Sequence, residues 1–204
     1  MAKMGKTEKL EKNKNGTLQR DFEGCGIRAV EGEGNERKFT LSFSSEEPYC
    51  RWFGVEVLSH KEGALNLERL NTIGCVLFNH NRDDVIGKIT RAWVENERGM
   101  CEIELDDDEL SEKIRKKIES GSLKGVSVGY MVDEWTEIPP GKKSDDGKHV
   151  GPCSIASRWT PLEVSVVSVP ADPTVGVGRS MEEEKGVGRL YYAKKRLQIN
   201  TNKL

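Results

Sequence analysis

Apolar and polar positions first alternate at Phe39, Leu41 and Phe43 against Thr40, Ser42 and Ser44, the two-residue period of a half-buried strand. Before that point the chain is rich in Lys, Glu and Asn with Leu10 and Leu18 as isolated apolar positions, so residues 1–20 read as a flexible tail or a loosely attached helix. A second strand is predicted after Pro48, over residues 52–58, and a polar, Gly-containing stretch over 59–70 separates it from Cys75-Val76-Leu77-Phe78. That apolar run is continuous, too short for a helix and suited to a buried strand. It ends on Asn79-His80-Asn81, with Arg82-Asp83-Asp84 read as the turn that follows. Ile86, Ile89, Ala92, Trp93 and Val94 make a longer strand, and Asn96-Glu97-Arg98-Gly99 is a turn signal. Cys101, Ile103 and Leu105 then alternate with Met100, Glu102 and Glu104, which predicts an antiparallel hairpin with one wet face.

The period lengthens at Leu110, Ile114 and Ile118, spaced i, i+4, i+8, and this is the clearest helix in the chain. Asp106-Asp107-Asp108-Glu109 precede it, Lys113, Arg115, Lys116 and Lys117 fill its later turns, and Gly121 stands where a terminating glycine belongs. The helix leads into Leu123 and a strand on which Val126, Val128, Tyr130 and Val132 share one face while Ser127, Gly129 and Met131 share the other. Residues 137–151, with Pro139-Pro140-Gly141 and a run of Lys, Ser and Asp, predict an exposed loop. A dense β-branched strand begins at Pro161 and is stopped by Pro170 and Pro173. Beyond it the chain turns Gly-rich, then acidic at Glu182-Glu183-Glu184, then basic and aromatic toward Arg196. The expected organisation is a tail over 1–20, one domain over 21–175 and a second tail over 176–204.

Composition narrows the function classes. Charged residues make up 32% of the 204 against 35% hydrophobic, low apolar content for a compact domain and consistent with solvated tails and loops. Lys+Arg 32 against Asp+Glu 34 leaves a formal charge of -2, which gives no electrostatic footprint for nucleic acid or an anionic membrane. No apolar run approaches the roughly 20 residues of a membrane span, and the N-terminus lacks the apolar core of a secretory signal. Cys25, Cys50, Cys75, Cys101 and Cys153 are widely spaced, which excludes a CxxC zinc or redox pair and fits reduced thiols in a cytosol. No cofactor or metal is expected.

Three groups stand on or at the end of predicted strands: His80, Ser127 and Glu163. A serine hydroxyl needs a base to remove its proton as it attacks, and an imidazole does this best when a carboxylate fixes its tautomer. Glycines at 125 and 129 let the backbone approach a substrate, with the N–H of Val128 or Gly129 as candidate oxyanion donors. Plainer readings exist for each: a serine on a half-buried strand, a histidine in a turn, a glutamate at an exposed strand end. Of the other histidines, His60 is the alternative base and His149 lies in the polar loop. Cys75 and Cys153 read as small buried hydrophobes rather than nucleophiles. The tryptophans, spread one per predicted strand, suit core packing.

Leu77-Phe78-Asn79-His80 with Gly87, Ser120-Gly121-Ser122-Leu123, Gly125-Val126-Ser127-Val128-Gly129-Tyr130, and Leu162-Glu163-Val164-Ser165 with Pro170-Ala171-Asp172-Pro173 together resemble the prohead maturation proteases of tailed bacteriophages. The likeness runs over about residues 25–175. That family is similar in fold to the herpesvirus assemblins, so the resemblance implies a mostly β chain with a few helices (α+β), built as an antiparallel β-barrel. It implies Ser127 as nucleophile, His80 as general base and Glu163 as the third member, with Asp83, Asp84 and Asp172 as competing carboxylates. Arg158 occupies a position from which an arginine could reach substrate or oxyanion, or simply lie on the surface. The implied activity is that of a serine endopeptidase inside the assembling procapsid in the host cytoplasm. It trims the scaffolding segment from the major capsid protein and then cleaves itself, with a dimer as the implied active form and no nucleic-acid or membrane partner. The alternative is a non-enzymatic β-barrel scaffold or capsid-assembly protein.

Overall fold

A computed structural model of the chain describes residues 18–22, 27–51 and 53–169. Its elements are β1 (Leu18–Phe22), β2 (Arg28–Ala29), β3 (Lys38–Ser45), β4 (Tyr49–Arg51), β5 (Gly54–Leu58), α1 (Glu68–Ile73), β6 (Cys75–Phe78), β7 (Asn81–Glu95), β8 (Arg98–Leu105), α2 (Glu109–Glu119), β9 (Gly125–Ile138) and β10 (Cys153–Val167). The strands form one ten-stranded sheet in the order β1-β9-β10-β6-β7-β8-β3-β2, with β5 also paired to β10 and β4 to β5. Most pairs are antiparallel, but β10 runs parallel to both β5 and β6. The sheet curls so that β3 also lies against β1 and β9, and the described residues are mostly β with two helices. Among the described residues, no helix is long and apolar enough to cross a membrane.

The inner face of the curl is the core, filled by Phe39, Leu41, Leu58, Val128, Tyr130 and Trp159 among others. Trp159 is fully buried and its indole N–H donates to the Ser59 carbonyl at 2.8 Å, so the largest core side chain leaves no polar atom unpaired. β8 keeps the expected alternation of half-buried and buried residues, whereas β3 buries Ser42 and Ser44 as well as its apolar positions. The serines fit there because Ser42 Oγ donates to the Ser44 carbonyl and Ser44 Oγ meets His60 Nε2 at 2.6 Å.

α2 follows the sequence signals closely. Asp108 caps it by accepting from the N–H groups of Leu110 and Ser111. At the other end Gly121, at φ +72°, lets the Ser122 N–H reach the Lys117 carbonyl and its own N–H reach that of Ile118. That arrangement turns the chain directly into β9.

Several elements differ from expectation. A strand, β1, occupies Leu18–Phe22 where the end of a tail is expected, because pairing with β9 is made by backbone and needs no apolar pattern. The single strand expected over 52–58 is instead the hairpin β4–β5, and α1 forms in the stretch read as polar connection. Arg82, Asp83 and Asp84 lie in β7 rather than in a turn, and the reversal is made one step earlier by Asn79 and His80. β9 runs on to Ile138, into the segment expected as a loop, and β10 begins at Cys153, well before the expected start at Pro161, leaving 139–152 between them. That shorter loop is pinned by Ser144 Oγ donating to Asp146 and by Lys61 Nζ on Asp146 at 3.0 Å. Cys25, Trp52, the Pro170-Ala171-Asp172-Pro173 segment and the tail over 176–204 lie outside the described residues.

Candidate active site

The site grows out of the parallel pair β6–β10. Val76 pairs with Val164, Leu77 with Ser165 and Phe78 with Val166, so the end of β6 is delivered beside the second half of β10. The chain then reverses into β7 through Asn79 at φ 52° and His80 at φ 59°, two consecutive left-handed residues neither of which is glycine. Each such residue costs about 1–2 kcal/mol, least for Asn, so the surroundings must impose the conformation. They do so through β10. The Asn79 N–H donates to the Val166 carbonyl at 2.9 Å, Asn79 Oδ1 accepts from the Ser168 N–H at 2.8 Å, and the His80 N–H donates to Ser165 Oγ at 3.2 Å.

Thus held, the His80 ring sits between the other two groups. His80 Nε2 lies 2.7 Å from Ser127 Oγ, and His80 Nδ1 lies 2.7 Å from Glu163 Oε1. A carboxylate oxygen only accepts, so Nδ1 carries the proton and Nε2 is left to accept from the Ser127 hydroxyl. Ser127 is fully buried, while the side chains of His80 and Glu163 are 17% and 16% exposed.

Register explains how Glu163 comes to this face. On β10, Ser165 pairs with Ser127 and Val164 with Val128, but Pro161 pairs with Tyr130 and Glu163 with Gly129. The irregularity between Pro161 and Glu163 places one extra residue there, a bulge. Continued without it from Pro161, the register would set Glu163 opposite Val128, on the core face. The bulge instead turns the carboxylate to the side that carries Ser127.

The glycines flanking Ser127 now have separate explanations. A Cβ at Gly129 would fall well inside 3.0 Å of Glu163 Oε1, with Glu163 Cδ at 3.1 Å, so the missing side chain is the space the carboxylate occupies. A Cβ at Gly125 would meet the Val167 carbonyl oxygen at 2.6 Å, a backbone approach on the neighbouring strand. Over Val126–Tyr130, β9 is paired on both edges, by β1 and by β10, so Val128 and Gly129 face neighbouring strands with their backbone.

The remaining candidates lie elsewhere. His60 is buried against Trp159, with Nε2 on Ser44 Oγ and Nδ1 donating to the Leu58 carbonyl at 3.1 Å, a core histidine with both nitrogens engaged. His149 sits in the 139–152 loop, its N–H on Ser144 Oγ. Asp84 accepts from Asn81 Nδ2 at 2.8 Å, and the Asp83 N–H donates to Asn81 Oδ1, so both are tied into the start of β7. Asp172 lies outside the described residues. Burial pushes the thiols of Cys75 and Cys153 up, with the negative charges of Glu163 and Glu137 adding to the effect, which makes both poor nucleophiles. Arg158 is exposed near Glu134, roughly 15 Å before Glu163 along β10, and does not reach the site. Among the described residues, no group of three or more His, Cys, Asp and Glu could hold a metal ion.

Two residues of this cluster escape a reading by chemistry alone. Ser165 Oγ donates to Glu163 Oε2 at 2.7 Å, and Asn79 anchors the turn. The available signals were positional: Ser165 stands two residues after Glu163 and so shares its face, and Asn directly before His80 is the residue type that tolerates left-handed backbone.

Comparison with known proteins gives three findings. Residues 55–186 match the family model described as Caudovirus prohead serine protease. The major capsid protein of Halomonas phage phiHAP-1 is 35% identical over 147 residues, which is 70% of this chain and 23% of that protein, so the chain spans about a quarter of the length of the curated relative it matches. Among solved structures, the bacteriophage T4 capsid assembly protease gp21 is similar with a TM-score of 0.48 and 14% identity, over 76% of this chain and 98% of that chain.

Proposed function

The chain belongs to the caudovirus prohead serine protease family, and from that premise we propose that it is a serine endopeptidase of procapsid maturation with Ser127 as nucleophile, His80 as general base and Glu163 as orienting carboxylate. The observation that carries this reading is the unbroken line of two 2.7 Å contacts from Ser127 Oγ through His80 to Glu163 Oε1. As Ser127 Oγ forms a bond to the scissile carbonyl carbon, its proton passes to His80 Nε2 and the carbonyl electron pair moves onto oxygen. Glu163 stabilises the imidazolium so formed and keeps Nε2 aimed at the reacting atoms. Collapse of the tetrahedral intermediate breaks the C–N bond, with the same proton delivered to the leaving amine. A water then repeats the sequence on the acyl-enzyme, and Ser127 is restored.

The substrates proposed are the scaffolding segment of the cognate major capsid protein and the chain itself, within the procapsid in the host cell. Support for the capsid partner comes from the phiHAP-1 relative, a protein named for the major capsid in which the similar segment occupies 23% of the length. Protease-like and capsid parts in one polypeptide meet at a high effective concentration. The same name is the argument for a non-enzymatic capsid role, but that reading leaves the alignment of Ser127, His80 and Glu163 without a purpose.

The test is trimming of the cognate capsid protein on co-expression with the full chain. His80→Ala is expected to abolish trimming while the circular dichroism of the fold is kept, and His149→Ala to leave trimming intact. Trimming by His80→Ala together with its loss in His149→Ala would overturn the assignment.

A further inference from the structure

We propose that Ser165 is a positioning residue of this site, one hydroxyl that locks the general base and its carboxylate to each other; the inference rests on the catalytic reading above. Ser165 is fully buried on β10 directly opposite Ser127. Its single hydroxyl hydrogen is donated to Glu163 Oε2 at 2.7 Å, while its oxygen accepts the His80 backbone N–H at 3.2 Å. Together with the contact from His80 Nδ1 to Glu163 Oε1, these bonds close a ring: His80 backbone to Ser165, Ser165 to one carboxylate oxygen, the other carboxylate oxygen back to the His80 ring.

Each part of the ring removes a freedom that would otherwise blur the geometry. A glutamate side chain ends in a broad torsion that lets its two oxygens exchange places. Ser165 fixes that torsion by giving Oε2 a donor, which leaves Oε1 for the imidazole. The His80 backbone is held at φ 59°, a conformation uncommon for any residue but glycine, and its N–H is tied to the same hydroxyl. A change in either partner is therefore transmitted to the other, and tautomer, ring orientation and carboxylate rotamer are set together. Ser165 touches no reacting atom; it acts through Glu163 and His80.

The experiment uses the full chain and two readouts that do not report stability: solvent exchange of the His80 Nδ1–H proton followed by NMR, and the rate of trimming of added cognate capsid protein. In Ser165→Ala, Nδ1–H exchange is expected to rise at least about tenfold and trimming to slow roughly 10- to 100-fold, the range for loss of a hydrogen bond to a charged group. Exchange and trimming both at the wild-type level in a folded Ser165→Ala would overturn the inference, since a purely structural serine would lower the melting temperature and leave both unchanged. If Ser165→Ala does not fold, Ser165→Cys keeps the side-chain shape, slightly enlarged, with a weaker donor and is read in the same way. Failure of the underlying reading looks different: Ser127→Ala would still trim, whatever Ser165→Ala does to the His80 proton.

Discussion

Gly129 is the position where a single added carbon should separate activity from stability. In Gly129→Ala the new Cβ would overlap Glu163 Oε1 and crowd Cδ and Cγ at 3.1 and 3.2 Å. The atoms it meets are the far end of a flexible side chain, so the carboxylate yields before the sheet does, at a stability loss of about 1 kcal/mol, the low end for overpacking. Relief requires Oε1 to move by about half an ångström or more, and that oxygen is the one 2.7 Å from His80 Nδ1. A contact stretched that far leaves the range of a good hydrogen bond to the ring, and the base loses its orientation. The expected fall in the rate of capsid-protein trimming is roughly 10²- to 10⁴-fold, the scale on which positioned acid–base groups contribute. Trimming rate and thermal unfolding should be measured on the same preparation. Wild-type trimming by Gly129→Ala would refute the claim that Glu163 works from the space above this glycine.

Gly125→Ala should behave in the opposite sense, because its Cβ would strike the Val167 backbone carbonyl at 2.6 Å rather than a movable side chain; a stability loss of about 1–3 kcal/mol in denaturant unfolding is expected, larger than for Gly129→Ala. His60→Ala should lower the melting temperature, since it strands the buried Ser44 hydroxyl and the Leu58 carbonyl, while trimming per folded molecule stays near wild type. The Asp108 carboxyl is held below the usual range by the Ser111 hydroxyl and the N–H groups it caps. Its folded pKa is lowered, so its contribution is full above the ordinary carboxylate value near 4 and is lost as pH falls through the depressed one. The gap in melting temperature between wild type and Asp108→Ala should accordingly be constant near neutrality and narrow in acid below about pH 4.

How far the chain can be read without coordinates depends on whether a feature is written in side-chain type or in backbone geometry. β6, β8 and α2 are legible because their patterns are local: a continuous apolar run, a strict alternation, and acid, base and glycine at the right ends of a helix. His80, Ser127 and Glu163 were visible as chemical types at strand positions, and the structure brings all three within hydrogen-bond distance. What brings them there was not visible. The bulge before Glu163 leaves no mark in composition, yet without it the carboxylate would face the core. The left-handed pair Asn79-His80 reads as a strand end followed by a turn at 82–84, because no glycine stands there to announce positive φ. β1 carries no apolar alternation, and its pairing with β9 is a matter of backbone alone. Ser165 is a polar position on a β-branched strand, and only its two partners, Glu163 Oε2 and the His80 N–H, distinguish it from any other strand serine.

The central claim is that Ser127 breaks peptide bonds in the capsid protein. Intact-mass measurement of the cognate major capsid protein, co-expressed once with the full chain and once with Ser127→Ala, tests it most directly. The account predicts a shortened capsid protein with the wild-type chain and only the full-length mass with Ser127→Ala; a shortened product with Ser127→Ala would contradict it.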